Sequence, residues 1–184
     1  KRPLEGVRSL LLDPASRTSA VLARLLVAES APGPVRLRTA PQPAPDPRLH
    51  PEDAVLVIGD PARHLAARGG GGDGAVLDLG EEWTRRTGLP FVYARWTARR
   101  GLSAGDRSEL AARLGRAAEE GVPERAALAR AWARARGEDE DGAERYVVGN
   151  VQYRIGPEEE RGLARFAALA RSLPGLTVIV PADA

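Results

Sequence analysis

Over the first hundred residues the apolar positions fall into short runs parted by polar turns. Val7 to Asp13, VRSLLLD, reads as a buried strand. TSAVLARLLVAE follows, with Val21, Leu22, Leu25 and Leu26 on one helical face. Val35 to Thr39, VRLRT, alternates and predicts a strand with one wet face. PQPAPDP is a proline-rich surface connection. Asp53 to Asp60, DAVLVIGD, is apolar and β-branched and predicts the clearest strand. PARHLAARG predicts a short helix with Pro61 at its first position, where proline is tolerated. RGGGGDG is a loop tip. AVLDL predicts a short strand, and GEEWTRRTG a helix of a turn or two ending at Gly88. Pro90 to Arg99 predicts a strand with large residues on both faces.

After Gly101 the pattern turns helical. One helix opens at Ser103, and a second runs from Pro123 to Gly137. A third is expected within EDEDGAERYVVGNVQY. The strongest begins at Pro157, with three glutamates in its first turn, where the helix dipole favours negative charge. Its apolar side is Leu163, Phe166, Ala167, Leu169 and Ala170. LTVIVP closes as a strand candidate. The order is therefore βαβ-rich and then nearly all helix, with no internal repeat.

Composition narrows the function classes. Of the 184 residues, 43% are hydrophobic, enough to build a core. The 27 basic and 25 acidic residues are interleaved, with no basic stripe carrying aromatics, which argues against nucleic acid as a partner. No run approaches the roughly 18 apolar residues of a membrane span, and Lys1-Arg2 is not followed by the apolar stretch of a signal peptide. The reading is of a cytoplasmic protein with no membrane partner. There is no cysteine, which excludes disulfides and thiolate metal sites. His50 and His64 lie too far apart for a metal-ligand spacing. There is also no methionine, as expected of a processed product or a fragment.

Two turns carry candidate chemistry. Ser16-Arg17-Thr18-Ser19 sits between a strand end and a helix start. Free backbone N–H groups, the helix dipole, three hydroxyls and a cation all suit a carboxylate or phosphate. The plainer reading is a cap, with the Ser16 side chain bonding the N–H of Ser19. Gly59-Asp60 raises the same choice. It lies at a strand end, where α/β folds bind ligands, yet Asp60 before Pro61 is also a good N-cap. The two turns point the same way only if their strands are neighbours in one sheet. The glycine run lacks the Gly-Lys-Ser/Thr of a phosphate loop. Trp83, Trp96 and Trp132 are expected in a core or between lobes. His64 is expected at the surface, and no general base stands out.

Three segments together resemble the chorismate dehydratase family of the futalosine route to menaquinone. They are LEGVRSLLLDPASRTSAVLARLL, DAVLVIGDPARHL and LDLGEEWTRRTGLPFVYARWTARRG, of which the third is the most specific. VQYRIGPEEERGLARFAALA is similar to the C-terminal helix of that family. The resemblance implies an α/β fold like that of type II periplasmic solute-binding proteins, two lobes with a central cleft. Residues 1–100 would be the second lobe. Residues 101–184 would be the C-terminal helical part that packs on the first lobe. Family members carry a further N-terminal segment with a Tyr-Leu-Asn-type motif. Nothing here corresponds to it, so the first lobe is expected to be incomplete in this chain.

By resemblance, Ser16, Arg17, Thr18 and Ser19 line the cleft and meet a substrate carboxylate, and Gly59 and Asp60 close on the same ligand. The implied reaction removes water from chorismate, giving 3-[(1-carboxyvinyl)oxy]benzoate. No metal or organic cofactor is implied, and a homodimer is compatible with the resemblance. Three alternatives stay open. One is a carboxylate-binding protein without chemistry, since fold does not fix function. Another is the related naphthoate-forming enzyme of the same pathway. The last is a structural or regulatory fragment.

Overall fold

A computed structural model describes residues 4–43, 46–70 and 74–174. They form a mixed α/β protein with a small parallel sheet and many helices. A 3-10 turn at Leu4–Gly6 leads into β1 (Ser9–Leu12), α1 (Arg17–Ser30), β2 (Arg36–Thr39) and β3 (Ala54–Val55). Helices α2 (Gly59–Ala67), α3 (Leu79–Thr87), α4 (Ala104–Gly121), α5 (Arg125–Arg136), α6 (Glu140–Gly149) and α7 (Pro157–Ser172) follow. The chain separates into two compact units, Lys1–Ala94 with Pro157–Ala184, and Arg95–Gly156. The sequence division near residue 100 groups the last helix with the helices before it. The packing groups it with the sheet unit.

In that sheet unit β1 is the central strand, between β2 and β3, and both pairings are parallel. All four β1 residues are buried, as expected of a parallel strand covered on both faces. Leu10 and Leu12 pack with Val7, Ala23, Val27 and Leu56, while Leu11 points the other way, towards Ala40 and Val55. Leu11 and Leu22 are fully enclosed. Burying each contributes roughly 1.5–3 kcal/mol.

A second cluster joins α1, α3 and α7. Trp83 packs with Leu22 and Leu26, and with Phe91, Phe166 and Leu169 at its margin. Trp83, Phe91 and Phe166 meet edge to face, with centroids 5.0 to 6.0 Å apart. The buried indole Nε1 has no hydrogen-bond partner among the described residues, and packing holds the ring. Gly162 lets α7 approach the chain at Pro90, because a Cβ there would run into the Pro90 carbonyl oxygen.

Charged side chains fasten the same region. Arg85 grips Glu82 with two hydrogen bonds of 2.6 and 2.8 Å, and Arg86 Nε adds a third at 2.7 Å. The Arg86 guanidinium also donates to Ser30 Oγ at 2.7 Å and pairs with Glu29 at 3.1 Å. Hydrogen bonds from Arg85, joined by those of Arg86, hold the Glu82 carboxyl down at about 2.

The other unit is helical. Ser103 caps α4 by accepting from the Asp106 N–H at 3.1 Å. Helices α5 and α6 pack through Ala129, Ala133 and Ala143, with Trp132 and Val147 against them. Arg134 and Glu140 tie the two helices at 2.7 and 2.9 Å, and Arg130 reaches Asp141 and Glu144.

Several sequence expectations require correction. β2 has no buried face, with all four of its residues exposed, while Val35 just before it packs on the core. The Asp53–Asp60 strand shrinks to Ala54–Val55, because the chain turns into α2 at Gly59. Pro61 is therefore the third residue of α2. No strand forms at AVLDL, where Asp78 is instead taken as the N-cap of α3, accepting from Gly80 and Glu81 N–H at 2.8 and 2.9 Å. Among the described residues, those at 90–99 pair with no strand, and Phe91 packs into the aromatic cluster instead. Trp96 is 81% exposed and belongs to no core. The strand expected at LTVIVP, and part of the RGGGGDG loop, lie outside the described residues.

Two outcomes follow for stability. Gly162→Ala should lower unfolding free energy by about 1–3 kcal/mol in urea titration, as overpacking does. Glu82 is depressed in the folded state, so its contribution is present above about pH 4.5 and lost as pH falls towards about 2. Glu82→Gln should flatten the loss of stability over that window, measured by denaturation at a series of pH values.

Candidate functional site

The sheet brings the two candidate turns to one edge. β1 and β3 lie side by side and parallel, with Leu10 opposite Ala54 and Leu11 opposite Val55. Their C-terminal ends therefore face the same way, and each runs into a helix, α1 or α2. Ala20 in the first turn of α1 and Ile58 before α2 pack against the same apolar cluster. Ligands in open α/β sheets sit outside the carboxyl ends of the strands, as this edge does.

A side-chain clamp fixes that adjacency. The Ser9 hydroxyl donates to Asp53 Oδ2 at 3.1 Å, and the Asp53 N–H donates back to Ser9 Oγ at 3.0 Å. The Arg8 N–H also reaches Asp53 Oδ2, at 3.0 Å. Nothing local in the sequence announces this pair, because 44 residues separate its members.

At the start of α1 the four polar residues divide into two pairs. Ser16 is the N-cap, and its Oγ accepts from the Ser19 N–H at 3.1 Å. Its hydroxyl donates to Ser19 Oγ at 2.9 Å, and Ser19 is buried. Those two hydroxyls are engaged in the cap. Arg17 is exposed and Thr18 half-buried, and neither side chain has a hydrogen bond or ion pair among the described residues. Their N–H groups are the first two of the helix, which no intrahelical carbonyl can reach. The cap and the anion-friendly surface thus coexist, on different residues of the same turn.

The start of α2 is built otherwise. Gly59 opens the helix at φ +66°, a left-handed conformation that glycine adopts without strain. A Cβ at Gly59 would meet nothing within 4 Å, so the conformation, not a close approach, requires glycine. Ile58 occupies the N-cap and offers no side-chain cap. Asp60 lies inside the helix, which rules out its reading as the N-cap. Its exposed side chain pairs with Arg63 at 3.4 Å. As an anion itself, Asp60 repels a carboxylate, so the attractive group of this turn is the free backbone. His64 is exposed on the same helix.

One residue at this edge was missed in the sequence reading. Asp13 directly follows β1 and is only 3% exposed. Its Oδ1 accepts from the Ala15 N–H at 2.8 Å, closing the turn that leads to Ser16. An Asp-Pro at a strand end reads as ordinary turn chemistry, and the sequence carries no signal that the carboxylate is buried.

Other features belong to the scaffold. A small cleft among α1, α3 and α7 is lined by Leu25, Leu26, Glu29, Trp83, Arg86 and Arg165, away from the strand ends. Among the described residues no three His, Cys, Asp or Glu side chains are grouped to hold a metal ion. No helix there is long and apolar enough to cross a membrane.

The family model described as menaquinone biosynthesis matches residues 1–172. That span takes in both helix starts, the Glu82-Trp83 clamp and the whole of α7. The chain belongs to the menaquinone biosynthesis family.

Proposed function

We propose that the protein dehydrates chorismate to 3-[(1-carboxyvinyl)oxy]benzoate, acting as a hydro-lyase. The observation that carries the reading is the shared strand-end edge, in a chain of a menaquinone-biosynthesis family. Two helices, α1 and α2, start beyond those strand ends. Both turns leave N–H groups that a dicarboxylate can occupy. In this reading the unit that holds the sheet is one lobe of a type II periplasmic-binding-protein-like fold, and the strand-end edge is its cleft face.

Within the site, Arg17 and Thr18 supply the contacts to one carboxylate, through their N–H groups, the guanidinium and the hydroxyl. Ser16 and Ser19 keep the turn in shape. Gly59 presents the start of α2 to the second carboxylate, and Asp60 lies next to it on the rim. The reaction breaks the C–O bond of the 4-hydroxyl and a ring C–H bond, releases water, and leaves an aromatic ring. Aromatisation drives the step. The protein orients the substrate and stabilises the charge that develops.

Incubating the full protein with chorismate and following the product by mass spectrometry tests the reaction. Loss of 18 mass units to the enolpyruvyl benzoate is the expected result. Reversible binding of chorismate without turnover would favour a carboxylate-binding protein, and turnover of a different pathway intermediate would favour the naphthoate-forming activity. The residue roles separate by stability. Ser16→Ala should cost about 1 kcal/mol of folding free energy. Thr18→Ala should leave the unfolding midpoint nearly unchanged, because Thr18 makes no hydrogen bond to lose, while KM for chorismate rises several-fold.

A further inference from the structure

Among the described residues, Asp13 receives fewer hydrogen bonds than Asp53, the carboxylate just before the adjoining strand. A buried carboxylate ordinarily satisfies both oxygens with donors or pairs with a cation. Asp53, on the adjoining strand, receives the Ser9 hydroxyl and the Arg8 N–H. Asp13 receives one bond, from the Ala15 N–H to Oδ1. Its other oxygen has no partner among the described residues, and no cation pairs with it there. It is nonetheless 97% enclosed, at the C-terminal end of the central strand and three residues before the cap of α1.

A carboxylate at this place selects among ligand groups. It repels a carboxylate that comes too near. It welcomes a hydrogen-bond donor, and the stable donor on a carboxylic-acid ligand is a hydroxyl. Arg17 and Thr18, four and five positions on, attract the carboxylate that Asp13 refuses. The pair of demands fits a molecule with a hydroxyl close to a carboxylate-bearing arm.

We propose that Asp13 is the specificity-determining residue of this edge: its unpaired oxygen accepts a hydrogen bond from a ligand hydroxyl. The site thereby prefers a hydroxylated carboxylate to its dehydrated counterpart. This rests on the dehydratase reading, in which the hydroxyl is the 4-hydroxyl of chorismate. Asp13 then orients the group that leaves, and the product, which lacks it, meets only the repulsion. Preference for substrate and release of product have the same cause.

Kinetics on the full protein test this through a ratio. Asp13→Asn should lower kcat/KM for chorismate by about 10- to 100-fold, the span of a hydrogen bond to a charged acceptor. The inhibition constant of 3-[(1-carboxyvinyl)oxy]benzoate should stay the same or tighten. Asp13→Ser, whose hydroxyl can still close the turn on Ala15, controls for folding and should show the same split. Equal losses for both ligands in both variants would mean that Asp13 only shapes the turn, and unchanged kinetics would mean that it does not meet the ligand. Either result overturns the proposal. A wild-type protein that neither converts chorismate nor binds the product marks instead the failure of the dehydratase reading, and the inference falls with it.

Discussion

The geometry of the candidate site depends on the reciprocal bond between Ser9 and Asp53. β3 is two residues long and pairs with β1 at two positions only. Backbone bonds over so short a ladder fix register weakly, and a slip of one residue would turn the alternate side chains to the wrong face. The Ser9–Asp53 pair, 3.0 and 3.1 Å in its two directions, holds the N-terminal ends of both strands level. With the starts level, β3 ends at Val55, opposite Leu11 and one residue short of the end of β1. The N-termini of α1 and α2 then open on one edge of the sheet.

The stretch around Glu82 and Trp83 has a different task. The Leu-Gly-Glu-Glu-Trp segment and the Thr-Gly-Leu-Pro-Phe-Val that follows it supply a cap, an arginine clamp and an aromatic cluster. Glu82 holds Arg85 and Arg86, Arg86 holds the end of α1, and Trp83 sits on the middle of α1. They grip the helix whose other end carries Arg17 and Thr18. The scaffold fixes one end of α1 so that the opposite end can stay open.

Local features were legible in the sequence and long-range ones were not. Ser16, Ser103, Gly88 and Gly137 mark helix ends by chemistry that acts within a turn, and the structure has them there. Strands depend on neighbours that the pattern does not name. Pro90 to Arg99 has strand composition yet pairs with no strand among the described residues, and Asp53 to Asp60 keeps two paired residues there. The sequence of Ser16 to Ser19 suits both a cap and an anion site. The hydrogen bonds place Ser16 and Ser19 in the cap, while Arg17 and Thr18 have no side-chain bond among the described residues. Asp13 escaped notice because burial of an Asp-Pro carboxylate is set by packing around β1, not by its immediate neighbours.

The central claim is that two turns, some forty residues apart in sequence, form one ligand edge. Backbone amide shifts during titration with 3-[(1-carboxyvinyl)oxy]benzoate test it most directly. The account predicts that the Arg17, Thr18 and Gly59 amides move together and saturate at a single ligand concentration. Movement confined to one of the two turns, or shifts centred elsewhere while both stay still, would contradict it.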